Sequence, residues 1–160
     1  MQRQLGFNLI EVMVALVILS IGLLGMAKLQ VTGIKQNQSA YMRSQANLLA
    51  YDIADRIRVN ESAIDSYLQV ASGAAKASCL AAAGCSETDM AANDLSEWFA
   101  TLARELPAGS GMICRSDTAG DVNGAPDCEA NDSDNPTVIY IWWDDERDGA
   151  VTQLMVRTGL

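Results

Sequence analysis

The feature that most constrains the fold is a long run of apolar residues, Phe7 to Ala27, that contains one glutamate, Glu11, near its start. As an α-helix rising about 1.5 Å per residue, this run would span about 30 Å, which is enough to cross a bilayer. A carboxylate at membrane depth costs about 2.5–3.5 kcal/mol, and the only cation close to it in the sequence is Arg3. The run therefore predicts a membrane anchor in which Glu11 awaits a cationic partner.

Glycine, phenylalanine and glutamate fall at fixed offsets just before and inside this run, as Gly6, Phe7 and Glu11. The segment from Gly6 to Leu16 resembles the class III signal of type IV pilins and pseudopilins, although Asn8 stands where threonine is usual. In that family a membrane peptidase cuts after the glycine and also methylates the exposed phenylalanine nitrogen. The resemblance implies cleavage between Gly6 and Phe7, N-methylation of Phe7, and an assembly role for the Glu11 carboxylate.

Two other interpretations of the apolar run remain. An ordinary secretory signal also has a basic start and an apolar core, and Gly25-Met26-Ala27 would serve as its cleavage site. Glu11 inside the apolar core argues against that interpretation. A plain transmembrane anchor is the second, and it is partly compatible with the resemblance. Such a segment would first anchor the subunit and then become a packing surface in a polymer.

Four segments are expected along the chain. Residues 1–6 form the cleaved leader, and residues 7–28 form the hydrophobic membrane and assembly helix. Residues 29–60 continue that helix with an amphipathic pattern, and residues 61–160 form a globular α+β domain outside the cytoplasm. A chain of 160 residues has room for one small domain beyond the anchor.

The helix is expected to continue well past the membrane. Residues 36–60 contain no proline or glycine, and their apolar side chains recur at three- and four-residue steps. The members of this stripe are Met42, Ala46, Leu49, Ile53 and Ile57. Asp52 and Arg56 lie one turn apart on another face and can form an ion pair. The pattern predicts one helix from near Phe7 to about Val59.

The region after this helix is predicted to begin with an irregular connector, residues 61–93, which shows little periodicity. Asp94 followed by Glu97 has the spacing of a capping box and predicts the start of a second helix. Pro107 is expected to end that helix. The apolar face of the second helix would hold Leu95, Trp98, Phe99, Leu102 and Leu106.

Three short strands are predicted in the last third of the chain, with a turn at Asp148-Gly149 before the final one. Their predicted bounds are Gly111–Arg115, Thr137–Asp144 and Ala150–Arg157. Alternation along the middle strand places Ile139, Ile141 and Trp143 on one face, which we expect to pack on the long helix. The expected architecture is α+β, a long N-terminal helix laid against a small antiparallel sheet.

The four cysteines all follow the anchor and indicate an oxidising compartment. We expect the pairs Cys79–Cys85, around an alanine-rich loop, and Cys114–Cys128, around a loop rich in glycine and aspartate, although four cysteines allow three pairings. A zinc site built from all four thiolates is the alternative, but the usual two-residue spacings are missing.

The orientation of the anchor is predicted from these cysteines, since the distribution of basic residues around the span would predict the opposite orientation. Arg3 precedes the span, whereas Lys28, Lys35 and Arg43 follow it, which runs against the positive-inside rule for a cytoplasmic N-terminus. With the resemblance, the cysteines predict a single-pass protein of the bacterial inner membrane whose C-terminal domain lies in the periplasm and enters a pilus.

Motifs in the second half of the chain narrow the resemblance. The segment from Leu49 to Asn60, the stretch from Trp98 to Gly109, and Trp143-Asp144-Asp145 resemble the PilV group of minor type IV pilins. That group implies a role in starting or assembling the pilus and in twitching motility. It implies as partners the prepilin peptidase, which is also the methylase, and other minor and major pilins. The alternative is a minor pseudopilin of a type II secretion system, whose N-terminus is built in the same way.

Enzymatic activity and nucleic-acid binding find little support in the composition. Histidine is absent, which removes the commonest general base, and the net charge of -9 is opposite to a nucleic-acid footprint. No catalytic residue, cofactor or metal site is expected. A calcium loop is the weaker alternative for a group of acidic and amide residues, because Ala125 and Pro126 break an EF-hand register that starts at Asp121. That group comprises Asp117, Asp121, Asn123, Asp127, Asp132 and Asp134.

Overall fold

The computed structural model describes residues 8–117, 128 and 134–159 and has the α+β architecture that the sequence predicts. Two helices are followed by three strands, and two short 3-10 helices lie between α1 and α2. The bounds are Leu9–Val59 for α1, Glu61–Ser66 and Ala77–Leu80 for the 3-10 helices, Glu87–Glu105 for α2, Ser110–Arg115 for β1, Thr137–Asp144 for β2 and Val151–Arg157 for β3. The chain divides into two compact units, Met1–Gln38 and Ser39–Leu160.

The first unit contains the apolar half of α1, whose side chains are exposed from Leu9 onwards. By length and composition alone, this is one helix long and apolar enough to cross a membrane. A polar side chain in this segment bonds back to the helix, since Ser20 Oγ donates to Leu16 O at 2.7 Å. An apolar helical segment that is not buried by any of the described residues is suited to a lipid or protein environment.

The second unit has a core assembled from α1, α2 and one face of the sheet. The predicted stripe of α1 is confirmed, because Met42, Ala46, Leu49, Ile53 and Ile57 are all buried. Tyr67 joins that cluster after the first 3-10 helix. The sheet contributes Ile113, Ile139, Ile141 and Trp143, so the predicted inward face of β2 is also confirmed.

The predicted start of the second helix is wrong. The N-cap is Ser86, eight residues before the predicted cap Asp94, and its hydroxyl accepts a bond from Asp89 N at 3.2 Å. The helix itself begins at Glu87. The region predicted to be an irregular connector therefore holds two 3-10 helices and the first two turns of α2. The predicted end holds, since α2 stops at Glu105 just before Pro107.

The three strands form one antiparallel sheet in the order β1-β2-β3. Ile139 of β2 lies opposite Ile113 of β1 on one side and Val156 of β3 on the other. The predicted turn before β3 depends on Gly149, which adopts a φ of 87° that suits glycine. The carboxylate of Asp144 accepts bonds from Asp148 N and Gly149 N and stabilises the turn.

Two disulfides lie in the second unit, Cys79–Cys85 and Cys114–Cys128. These are the same pairs that the spacing in the sequence favours. The first closes a loop next to α2 whose Leu80 is exposed, and the second lies on the outer face of the sheet beside Val138 and Tyr140.

Candidate functional site

The first turn of α1 carries the residue on which the predicted assembly chemistry depends. Glu11 N donates to Asn8 O at 2.9 Å, so Asn8 leads directly into the helix. The side chain of Glu11 is exposed and has no hydrogen bond or ion pair with any of the described residues. Gly6 and Phe7, the predicted cleavage and methylation residues, lie outside the described residues, as does Arg3. The Glu11 carboxylate therefore has no cationic partner among residues 8–117, 128 and 134–159.

Large apolar side chains surround this carboxylate along the helix. Leu9, Ile10 and Val14 are all more than half exposed, and the mean hydropathy of the span is 2.5. Gly22 and Gly25 farther along the helix have open space where a Cβ would stand, so another helix could approach closely there. A carboxylate on an apolar surface is suited to bind a single cationic donor, because the two groups then form an ion pair in a contact of low dielectric constant.

A polar network ties the C-terminal part of α1 to α2. Arg56 bonds Asp52 at 3.0 Å, as the sequence predicts, and also Asp94 at 3.1 Å and Glu97 at 2.8 Å. Burial opposes the charge of the guanidinium, but the bonds to Glu97 and Asp94 raise the pKa of Arg56 above its ordinary value. The hydrogen bond from Arg56 in turn lowers the pKa of Glu97. One cation thus holds two helices together.

Tyr67 extends this network into the core of the second unit. Its hydroxyl donates to Asp94 Oδ2 at 2.7 Å and accepts from Asn60 Nδ2 at 3.2 Å. Burial raises the pKa of Tyr67, so the hydroxyl stays protonated at physiological pH. The prediction of Asp94 as a helix cap misses this role. No local signal marks it, because Tyr67 and Asp94 are 27 residues apart in the chain.

The turn between β2 and β3 is attached to α1 as well. Ser39 Oγ donates to Asp145 Oδ2 at 2.5 Å, and Trp143 Nε1 donates to Asp145 Oδ1 at 3.2 Å. The Trp143-Asp144-Asp145 motif therefore has a structural use. Trp143 fills the core, Asp144 shapes the turn, and Asp145 joins the turn to the helix.

Among the described residues, no group of three or more histidine, cysteine, aspartate or glutamate side chains is placed to hold a metal ion. Of the residues considered for calcium, Asp117 and Asp134 are described. Asp121, Asn123, Asp127 and Asp132 lie outside the described residues.

Two family models match the chain, and they adjoin one another. Residues 1–27 match the prokaryotic N-terminal methylation motif, which spans Gly6, Phe7 and Glu11. Residues 28–96 match the model described as type IV pilin Tt1218, which covers the rest of α1 and the first part of α2. No curated protein and no solved structure matches the chain.

Proposed function

We propose that this chain, which is a type IV pilin-like protein, is a minor pilin of the PilV group that takes part in starting and assembling a type IV pilus. The observation that carries the proposal is the Glu11 carboxylate, which is exposed on an apolar helix, has no cationic partner in the part of the chain that the structure describes, and lies inside the matched methylation motif. Such an arrangement gives no advantage to a soluble domain. It suits a subunit whose apolar helix leaves the lipid and packs into a bundle of helices.

The proposed mechanism begins in the inner membrane, where the apolar half of α1 anchors the subunit with its second unit in the periplasm. The prepilin peptidase cuts after Gly6 and methylates the new N-terminus of Phe7. Cleavage frees an amine that is largely cationic at neutral pH. It thereby creates a cationic partner of the kind that the Glu11 carboxylate lacks among the described residues of its own chain.

Assembly then pairs Glu11 of one subunit with the amine of a neighbour while their apolar helices pack together. A buried carboxylate is costly when it is unpaired, so the pairing sets the axial register of neighbouring helices as well as attracting them. The second unit has a structural role in this scheme and carries no catalytic function. The Arg56 network and the two disulfides keep it rigid beside its neighbours.

Processing provides the first test. In the native protein, mass spectrometry is expected to show loss of residues 1–6 and the addition of one methyl group. Gly6→Ala is expected to leave an uncut precursor in the membrane, because the peptidase would no longer meet the glycine of its site. Gly33→Ala is the matched control, since Gly33 lies in α1 with open space around it, and it should be processed normally. A native chain that retains its first six residues would disprove the proposed function.

Deletion of the gene separates the minor pilin from a pseudopilin. We expect loss or strong reduction of surface pili and of twitching, with type II protein secretion unchanged. The motifs at Trp98–Gly109 and Trp143-Asp144-Asp145 favour this outcome through the PilV resemblance. Lost secretion with normal piliation would assign the chain to a type II secretion system instead. Complementation with the wild-type gene controls for effects on neighbouring genes.

A further inference from the structure

The cations that follow the membrane span have no part in the assembly mechanism described above. Lys28 comes directly after the apolar run, and Lys35 and Arg43 follow it in α1. With the second unit in the periplasm, these residues oppose the positive-inside rule, so the orientation of the anchor does not account for them. The sequence has no acidic residue between Glu11 and Asp52. An anion that binds Lys28 must therefore come from outside this stretch of α1.

Two of these cations lie on one side of the helix at the end of the span. Lys28, Thr32 and Lys35 are separated by four and three residues, which aligns them along one face, and all three are exposed. The hydroxyl of Thr32 donates back to Lys28 O at 3.0 Å. Val31 and Ile34, both more than half exposed, continue the apolar surface on another face. This segment therefore combines a cationic row with an apolar row, which suits the boundary between lipid and water.

The rise of the helix places a layer of lipid headgroups between the two lysines. The run from Phe7 to Ala27 fills a hydrocarbon core about 30 Å thick, so Lys28 stands at its outer boundary. Lys35, seven residues later, lies about 10 Å farther along the axis, whereas a headgroup layer is about 5–7 Å thick. Helical side chains lean toward the N-terminus, which directs Lys35 back to this layer, and the flexible stem of Lys28 extends outward to it. Both ammonium groups therefore reach the same layer of phosphates.

We propose that Lys28 and Lys35 bind the phosphate of an anionic phospholipid in the periplasmic leaflet of the inner membrane. Each ammonium group has three donors, and phosphate oxygens accept charge-assisted hydrogen bonds from them. In phosphatidylethanolamine the amine of the headgroup neutralises the phosphate, so a lipid of net negative charge, such as phosphatidylglycerol, binds more strongly. The bound lipid fixes the height of the anchor once the leader has been removed. This inference rests on the proposed function, because it requires the anchor to lie in the inner membrane with the second unit outside.

Native mass spectrometry of the full-length chain, released from vesicles into mild detergent, measures the retained lipid. From vesicles of phosphatidylethanolamine and phosphatidylglycerol in equal amounts, the wild type is expected to retain phosphatidylglycerol. Lys28→Gln and Lys35→Gln should each lower the retained fraction about fivefold, and the double variant should lower it more than about tenfold, because each lysine near an anionic surface contributes a factor of this size. Excess inorganic phosphate should leave the lipid bound, since the acyl chains also pack on the apolar helix. Displacement by inorganic phosphate would show a site for free phosphate and would overturn the proposal.

Arg43→Gln is the matched control, because it removes the same charge eight residues after Lys35, in the second unit, and should leave retention unchanged. Replacing both lysines by arginine keeps the charge and should keep the lipid. Circular dichroism and intact disulfides show that each variant is folded.

Equal retention of the two lipids, retention that the double variant does not lower, or an equal loss in Arg43→Gln would each overturn the inference. A carbodiimide cross-link in native membranes between Lys28 and a carboxylate of another subunit would also overturn it, because the partner would then be a protein. Lys28 lies just beyond the matched motif at residues 1–27, so every variant should still lose residues 1–6. The mass of the N-terminus in the same samples therefore reports separately on the proposed function.

Discussion

Replacing Glu11 by alanine is expected to leave membrane insertion intact or improved and to lower incorporation into filaments at least about tenfold. Insertion improves because a carboxylate at membrane depth costs about 2.5–3.5 kcal/mol. Incorporation falls because the amine of the neighbouring subunit would be buried without its anion, and removing one partner of a buried pair costs about 3–5 kcal/mol. The measurement is the ratio of this chain in sheared filaments to that in membranes.

Ser20→Ala is the control for this experiment, because Ser20 lies in the same apolar helix and its hydroxyl donates to Leu16 O of that helix. It should be incorporated normally. Glu11→Gln separates charge from shape, and it should behave like the alanine variant if the charge of the carboxylate is what matters. Normal incorporation of Glu11→Ala would disprove the claim that Glu11 sets the register of neighbouring helices.

The features of the fold that sequence predicts best are those that a local pattern specifies. The buried stripe of α1 follows from its helical spacing, and the inward face of β2 follows from alternation. The assembly residues come from a motif with fixed offsets, and of these the structure describes Glu11 but not Gly6 or Phe7. Such features can be predicted from the sequence because each depends on a few neighbouring residues and not on the tertiary structure.

The start of α2 shows where local reasoning fails. Asp94 and Glu97 have the spacing of a capping box, but their carboxylates bind Arg56, 38 and 41 residues earlier in the chain. The true cap, Ser86 with Asp89 three residues later, is also present in the sequence, inside a stretch that shows little periodicity. A polar residue that ends in a tertiary network looks the same in sequence as one that caps a helix.

The contact between Gln69 and β1 was equally hidden from the sequence. Gln69 lies over 40 residues before its partner Ile113 and adopts a backbone conformation uncommon for a non-glycine residue. A contact of this kind follows from topology, whereas the proposed anchor chemistry follows from sequence.

Trp98→Ala is expected to have the largest effect on the stability of the second unit. Trp98 is 1% exposed, and its Nε1 donates to Leu49 O of α1 at 2.9 Å. Its ring also reaches β1, where a Cβ on Gly111 would lie 2.4 Å from Trp98 Cη2. One side chain of α2 thus contacts both the long helix and the sheet. Truncating a buried tryptophan typically costs about 3–5 kcal/mol, out of a total stability of about 5–15 kcal/mol.

The free energy of unfolding, measured on the full chain in detergent by denaturant titration of the second unit, gives this loss directly. Trp98→Phe keeps most of the ring but leaves Leu49 O without its donor, so it should fall between the wild type and Trp98→Ala. Leu80→Ala, at a side chain that is 82% exposed, is the surface control and should change stability by less than about 0.5 kcal/mol. If Trp98→Ala lowers the free energy of unfolding by less than about 1 kcal/mol, the prediction that Trp98 contributes strongly to stability is wrong. Since cleavage depends on the N-terminal motif and not on the core around Trp98, the N-terminus of the variant should still be cut after Gly6.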